Sequence, residues 1–196
     1  DNTVRLWDCA SGELLAVLNE PTAVLSFGGL AFHPCEPLFA THGKGDKGVR
    51  IWQVDYQNLR AARERRMPSA ATELRAVPGQ PEIPGQSEVP GRIGEPESEK
   101  TAVASVPQGF TLQHILRDHQ DVISPLEWSP DGRILASGSA DAAICLWDEY
   151  SGELLKTLSG HQDRISSLSW APDSQQLAAG SMDTTISVWN VSQGEL

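Results

Sequence analysis

The chain has 196 residues and a formal net charge of −11, and an acidic surface disfavours direct binding to nucleic acid because it repels phosphate. No apolar run approaches the roughly 18 residues that a membrane-spanning helix needs, so we expect no membrane segment. The three cysteines are far apart and form no CxxC pair, which disfavours a disulfide framework or a zinc site and predicts a reducing compartment. We expect no cofactor and a cytoplasmic location, or a nuclear one in a eukaryote.

One step recurs along the chain: an Asp is followed six residues later by a Trp. The four pairs are Asp1 and Trp7, Asp46 and Trp52, Asp141 and Trp147, and Asp183 and Trp189. Aliphatic residues alternate with other residues between each Asp and its Trp, and this period of two predicts a β-strand that closes on the Trp. The chain is therefore predicted to be a repeat protein.

Residues 1–54 are predicted to contain strands at 1–7, 13–18, 22–32, 38–41 and 49–52. The turns between them are rich in Gly, Ser and Pro, and the sequence His33-Pro34-Cys35-Glu36 is one of them. This first region is predicted to hold one partial repeat and one degenerate repeat.

Residues 55–109 interrupt the pattern. A short basic helix is predicted over 57–67, and the sequence then repeats Val/Ile-Pro-Gly in hexapeptides over 77–94. Pro and Gly favour turns and little apolar surface is available for burial, so we predict a disordered or serially turned insertion. A tolerated surface loop and a docking or regulatory segment are the two interpretations of this insertion.

Residues 110–196 resume the repeats and are predicted to be the best formed. Strands are expected at 110–116, 122–128, 134–147 with an internal Gly-Ser turn, 151–161, 164–170, 175–181 and 184–190. The first of these is predicted to be the fourth strand of the unit that the insertion interrupts. The insertion should therefore join a third strand to a fourth.

These residues resemble the WD-repeat (WD40) β-propeller family, whose repeat reads Gly-His, a strand ending in an aromatic, a Pro-Asp-Gly turn, LASGS, an Asp and a strand ending in Trp-Asp. The resemblance is close over 110–190, looser over 13–54 and terminal at 1–8. It implies an all-β fold of four-stranded antiparallel blades, here about three and a partial. Because propellers close with about four to eight blades, we expect a larger protein whose further repeats pack on the blade ends.

The resemblance also implies a hydrogen-bonded tetrad of His, Ser or Thr, Asp and Trp inside each blade. One blade offers a full set at matching positions: His119, Ser137, Asp141 and Trp147. The last blade offers three members, His161, Asp183 and Trp189, but Ala179 stands where the hydroxyl belongs, so this tetrad is expected to be incomplete. The first internal unit offers Asp46 and Trp52, with Thr41 as a shifted candidate.

A catalytic interpretation of these residues is disfavoured. His119, Ser137 and Asp141 include the residue types of a hydrolase triad, but the serine lies in a strand without the GxSxG turn that exposes a nucleophile. His33, His42 and His114 have no metal-like spacing. We therefore predict neither a catalytic residue nor a metal ligand.

The resemblance places the loops that carry the His and the Asp on one face, which is the usual partner surface of the family. The candidate contact residues there are Lys44, Gln120, Asp121, Ala140, Gln162, Asp163, Arg164 and Met182. An ordinary solvated loop is the competing interpretation of each. The sequence favours a non-catalytic scaffold for protein partners, and the alternative is the sensor or autoinhibitory propeller of a larger enzyme such as a signalling NTPase or kinase.

Overall fold

The computed structural model describes residues 3–19, 29–42, 47–66, 106 and 108–191. Within these ranges the chain forms strands and a single helix. In chain order the elements are β1 (Thr3–Asp8), β2 (Glu13–Asn19), β3 (Leu30–Phe32), β4 (Leu38–His42), β5 (Gly48–Val54), α1 (Tyr56–Arg66), β6 (Phe110–Arg117), β7 (Ile123–Trp128), β8 (Ile134–Ser139), β9 (Ala143–Asp148), β10 (Leu154–Ser159), β11 (Ile165–Trp170), β12 (Gln176–Ser181) and β13 (Ile186–Asn190).

The strands form four separate antiparallel sheets, which we call blades A to D in chain order. Blade A is β1–β2, blade B is β3–β4–β5–β6, blade C is β7–β8–β9–β10 and blade D is β11–β12–β13. Within each blade every strand pairs with its neighbour in sequence, and short turns connect these strands except between β5 and β6. The all-β fold of four-stranded antiparallel sheets that the sequence predicts is confirmed.

Blade B is continuous in space although its sequence is interrupted. Strand β6 pairs with β5 along its whole length, from Gly48 opposite Arg117 to Val54 opposite Phe110. The backbone N–H of Asp55 donates to the carbonyl of Gly109 at 2.8 Å and closes the base of the inserted segment. This base lies at the end of blade B opposite the end where β4 leads into β5.

Helix α1 lies where the sequence predicts a helix. Asp55 caps it, because its Oδ1 accepts the backbone N–H of Asn58 at 2.9 Å. Leu59 is 4% exposed and packs with Leu6, Phe39 and other side chains of blades A and B. Leu59 therefore anchors the helix to the folded core, a contact that the sequence does not predict.

Apolar side chains pack between successive blades rather than within one. One cluster joins blades B and C around Ile51 and Leu135, and another joins blades C and D around Ile144 and Leu177. These side chains are at most 1% exposed, and burial of one such side chain contributes about 1.5–3 kcal/mol. Strands that are covered on both faces carry apolar residues almost continuously, which explains why β8 and β9 are nearly free of charge.

Some predictions fall on residues outside the described ranges. These are the first Asp at position 1, the strand residues before Gly29, the turn that contains Lys44 and Asp46, the Pro-Gly hexapeptides and the final residues from 192. In the described part of the chain, no helix combines the length and apolar character required to cross a membrane.

Candidate functional site

A chain of buried hydrogen bonds crosses blade C. His119 Nδ1 lies 3.0 Å from Asp141 Oδ2, and His119 Nε2 lies 2.9 Å from Ser137 Oγ. The indole N–H of Trp147 donates to the same Ser137 Oγ at 2.8 Å. With Nδ1–H donating to the carboxylate, Nε2 accepts the Ser137 hydroxyl proton, so every group in the chain has a partner.

Asp141 also fixes the backbone of two separate loops. Its Oδ2 accepts the N–H of Gln120 at 2.8 Å, and its Oδ1 accepts the N–H of Ala143 at 3.0 Å. Burial raises the pKa of Asp141, but these two amide bonds and the contact with His119 outweigh it, so the net pKa lies below the ordinary 3.8. The carboxylate is ionised at neutral pH and ties the loop before β7 to the turn before β9.

Blade D contains a matching set that the sequence reasoning described wrongly. His161 Nδ1 lies 2.8 Å from Asp183 Oδ2, as in blade C. The missing hydroxyl comes from Ser187, whose Oγ lies 2.7 Å from His161 Nε2 and accepts the indole N–H of Trp189 at 2.8 Å. The expectation that this set is incomplete is therefore contradicted.

The strand register explains how Ser187 replaces the hydroxyl. Ala179 of β12 lies directly opposite Ser187 of β13, and in blade C Ser137 of β8 lies directly opposite Cys145 of β9. Side chains at directly opposite positions are close together, so a hydroxyl on either strand can reach the same place. A sequence signal was available, since Ser187 is two residues before Trp189 and residues two apart share a face of a strand.

Blade B keeps part of this arrangement. The indole N–H of Trp52 donates to Thr41 Oγ1 at 3.1 Å, which makes Thr41 the hydroxyl partner in this blade. Asp46 lies outside the described residues. His42 is 2% exposed, and its ring lies so close to Gly29 that a Cβ at position 29 would be 1.9 Å from Nε2. A larger residue at position 29 would therefore displace the buried His42 ring.

Burial of the serine and histidine in blade C disfavours their use as a hydrolytic pair. Ser137 is 0% exposed and His119 is 5% exposed, so a substrate cannot reach the hydroxyl. The hydroxyl oxygen also accepts the Trp147 indole proton, which opposes nucleophilic attack. Among the described residues, no three His, Cys, Asp or Glu side chains are grouped as metal ligands.

Cys145 is a buried thiol beside this hydrogen-bond chain. It is 1% exposed, and its Sγ lies 3.7 Å from Asp118 Oδ2. Burial, with a smaller contribution from the Asp118 carboxylate, raises the pKa of Cys145 to about 12. The thiol therefore stays protonated at neutral pH and is a poor nucleophile.

The candidate contact residues of blades C and D lie in equivalent loops at one end of the blades. Gln120 and Gln162 donate their backbone N–H to Asp141 and Asp183, at 2.8 and 2.9 Å. Ala140 donates its backbone N–H to Val122, and Met182 donates its own to Arg164, both at 2.9 Å.

We call the exposed and half-exposed residues of these loops the turn face: Gln120, Asp121, Ala140, Gln162, Asp163, Arg164 and Met182. Met182 is 60% exposed, and the ammonium group of Lys47 from blade B donates to the carbonyl of Gln120. Lys44 lies outside the described residues. The structure thus brings blades B, C and D together at one surface.

Comparison with known proteins gives the family. The sequence model of the "WD domain, G-beta repeat" family matches residues 110–148 and 152–190. The protein Mut11 of Chlamydomonas reinhardtii is 36% identical over 66 residues, which cover 30% of this chain and 18% of that protein. WD repeat-containing protein 37 of Pongo abelii is 25% identical over 160 residues, covering 82% of this chain and 29% of that protein.

The transcriptional corepressor LEUNIG_HOMOLOG of Arabidopsis thaliana is 23% identical over 160 residues, covering 81% of this chain and 18% of that protein. Each match covers less than a third of the relative's own length. The four-stranded sheets and the repeat matches agree, and residues 110–190 are repeats of the WD-repeat family.

Proposed function

We propose that this chain is a non-catalytic scaffold that binds protein partners through the turn face. WD repeats and the WD-repeat relatives support a protein-interaction role in general. The observation that carries the proposal is that the buried His–Asp pairs hold the backbone of equivalent loops, while different side chains are exposed on those loops. A rigid backbone with variable exposed side chains is suited to selective binding.

The chemistry of the turn face suits a mixed-charge partner. Met182 supplies a flexible apolar contact, and such side chains adapt to varied surfaces. Asp121 and Asp163 occupy equivalent places in blades C and D, and each accepts the backbone N–H of the next residue at 2.7 Å. Arg164 lies beside them and provides a donor for a partner's carboxylate.

The experiment compares capture of proteins from the organism's own cells by three forms of the chain. The first is unchanged, the second carries Met182→Asp and Gln120→Lys on the turn face, and the third carries Leu155→Asp on the exposed side of β10. We expect a set of proteins that the first and third forms retain and the second form loses. Equal capture by all three forms contradicts the proposal.

A sensor or autoinhibitory role within a larger enzyme is the second candidate. It is favoured by the short coverage of the relatives, since the matches reach only 18–29% of their lengths. The test is an activity assay of the full-length protein with and without Met182→Asp. A change in the turnover of another domain supports this role, and unchanged turnover removes it.

A further inference from the structure

A groove lies at the opposite end of blades B and C from the turn face. It has a volume of about 320 Å³ and lies between the turn after β3, strands β5 and β6, and the turn between β9 and β10. Its volume is at the lower end of the range for small-ligand pockets, which suits one long side chain better than a cofactor. We call it the edge groove.

The lining includes an apolar part. The half-buried Pro37 and Leu38, which is 9% exposed, form this part, and Ile51 lies beneath them with 1% of its surface exposed. Such a surface favours the methylene groups of a long side chain whose charged end stays near water.

Two carboxylates line the same groove. Glu36 belongs to the turn after β3 and Glu149 to the turn after β9, so they come from different blades. Among the described residues, neither side chain takes part in an ion pair. Asp148, next to Glu149, adds a third carboxylate nearby, and its pKa is lowered, chiefly by a hydrogen bond from the backbone of Ser151.

The remaining lining consists of polar and aromatic side chains. Gln113 Nε2 donates to Gln53 Oε1 at 2.6 Å, which leaves Oε1 of Gln113 as an acceptor. The ring of His114 packs on Gly152, where a Cβ would lie 2.7 Å from Nδ1. Tyr150 is 89% exposed, so its ring has little of its surface covered by the described chain.

We propose that the edge groove binds an arginine side chain of a partner protein. The methylenes pack on Pro37 and Leu38, and the guanidinium group lies between the carboxylates of Glu36 and Glu149, with the Tyr150 ring against its plane. A guanidinium is favoured over an ammonium because it is planar, presents several donors in a fork and stacks on aromatic rings. This site is separate from the turn face, so it gives the scaffold a second contact.

The test is a titration of the isotopically labelled chain with N-acetyl-arginine amide, followed by NMR. We expect saturable shifts of the backbone signals of Gln113, His114 and Tyr150. N-acetyl-lysine amide should bind several-fold more weakly because it lacks the planar fork. Equal binding of the two compounds, or no shift at these residues, overturns the proposal.

Variants locate the binding. Glu36→Gln with Glu149→Gln should weaken arginine binding by about tenfold, since charge-assisted bonds are lost while the shape is kept. The matched control is Asp121→Asn with Asp163→Asn, which removes two charges at the turn face and should leave the affinity unchanged. If both pairs of substitutions weaken arginine binding equally, the compound is attracted to the acidic chain in general. That result would contradict the edge groove as the binding site.

The chain's own arginines are the competing occupants. Arg75 and Arg92 lie in the inserted segment, which leaves blade B near Gln53. In the variant Arg75→Gln with Arg92→Gln, the affinity for N-acetyl-arginine amide should stay the same. A gain of about tenfold or more would mean that the chain fills its own groove and would overturn the assignment to a partner. Capture through the turn face is independent of every one of these results.

Discussion

Blades C and D hold the same hydrogen-bond chain together with hydroxyls from different strands. In blade C the hydroxyl is on Ser137 of β8. In blade D it is on Ser187 of β13, which corresponds to β9 of blade C and not to β8. The Trp indole and the His ring reach it at 2.7–2.9 Å in both blades. The fold therefore requires a hydroxyl at a place in space and accepts it from either of two facing positions.

The largest expected effect comes from removing the Asp carboxylate that binds the His ring, which is Asp141 in blade C and Asp183 in blade D. Asp141→Ala should lower the free energy of unfolding by about 1–3 kcal/mol, because His119 and the amides of Gln120 and Ala143 lose their acceptor. Urea unfolding measures the change. Glu153→Ala, at an exposed turn position, is the control and should have little effect. A loss below about 0.5 kcal/mol for Asp141→Ala would argue against this role.

The comparison of the two blades predicts a rescue. Ser187→Ala should cost about 1–2 kcal/mol, since Trp189 Nε1 and His161 Nε2 lose their shared partner. Adding Ala179→Ser should restore most of the loss, because residue 179 lies opposite residue 187 and places the hydroxyl as blade C does. The measurement is urea unfolding of both variants.

Ala179→Ser alone is the control for that rescue. It adds a second hydroxyl to a position that is 1% exposed and should not stabilise the protein. If the double variant is no more stable than Ser187→Ala, the two facing positions are not interchangeable.

Acid should weaken both blades. The pKa of Asp141 is below 3.8 in the folded chain, and hydrogen bonds from Thr185 and Gln162 lower the pKa of Asp183 as well. A carboxylate whose pKa is lowered in the folded state stabilises the protein above about pH 4. This stabilisation is lost as the pH falls through the pKa of the folded state. Melting temperatures from pH 6 down to pH 2 should therefore drop most steeply below about pH 4.

The double variant Asp141→Asn with Asp183→Asn tests the source of this acid sensitivity. It should melt with a shallower dependence on pH than the unchanged chain. Some slope should remain, because hydrogen bonds also lower the pKa of Asp131 and Asp148. Identical slopes would assign the acid sensitivity to other groups.

The smallest expected effect is the chemical labelling of Cys145, which lies opposite Ser137 in the strand pair β8–β9. Iodoacetamide should label Cys9 and Cys35, which are exposed, and leave Cys145 unlabelled in the folded chain, since its pKa is about 12 and it is buried. Mass spectrometry counts the labels before and after unfolding in urea. A third label without denaturant would show that blade C opens readily.

The sequence predicted the strands well because their apolar alternation and terminal Trp residues are local signals. It also predicted helix α1 from composition, but not its packing, since the burial of Leu59 depends on blades A and B meeting around it. The hydroxyl of blade D was missed because motif matching compares positions along the chain, whereas Ser187 reaches the site across a strand pair. The edge groove has no sequence signal, since its walls come from two blades.

The hydrogen bond between Asp55 and Gly109 has a practical consequence for engineering this protein. Strands β5 and β6 remain paired up to that bond, and Leu59 anchors α1, so the pairing of blade B does not require a particular length of chain after the helix. A fluorescent reporter or an affinity tag inserted after the helix is therefore expected to leave the pairing of β5 and β6 unchanged.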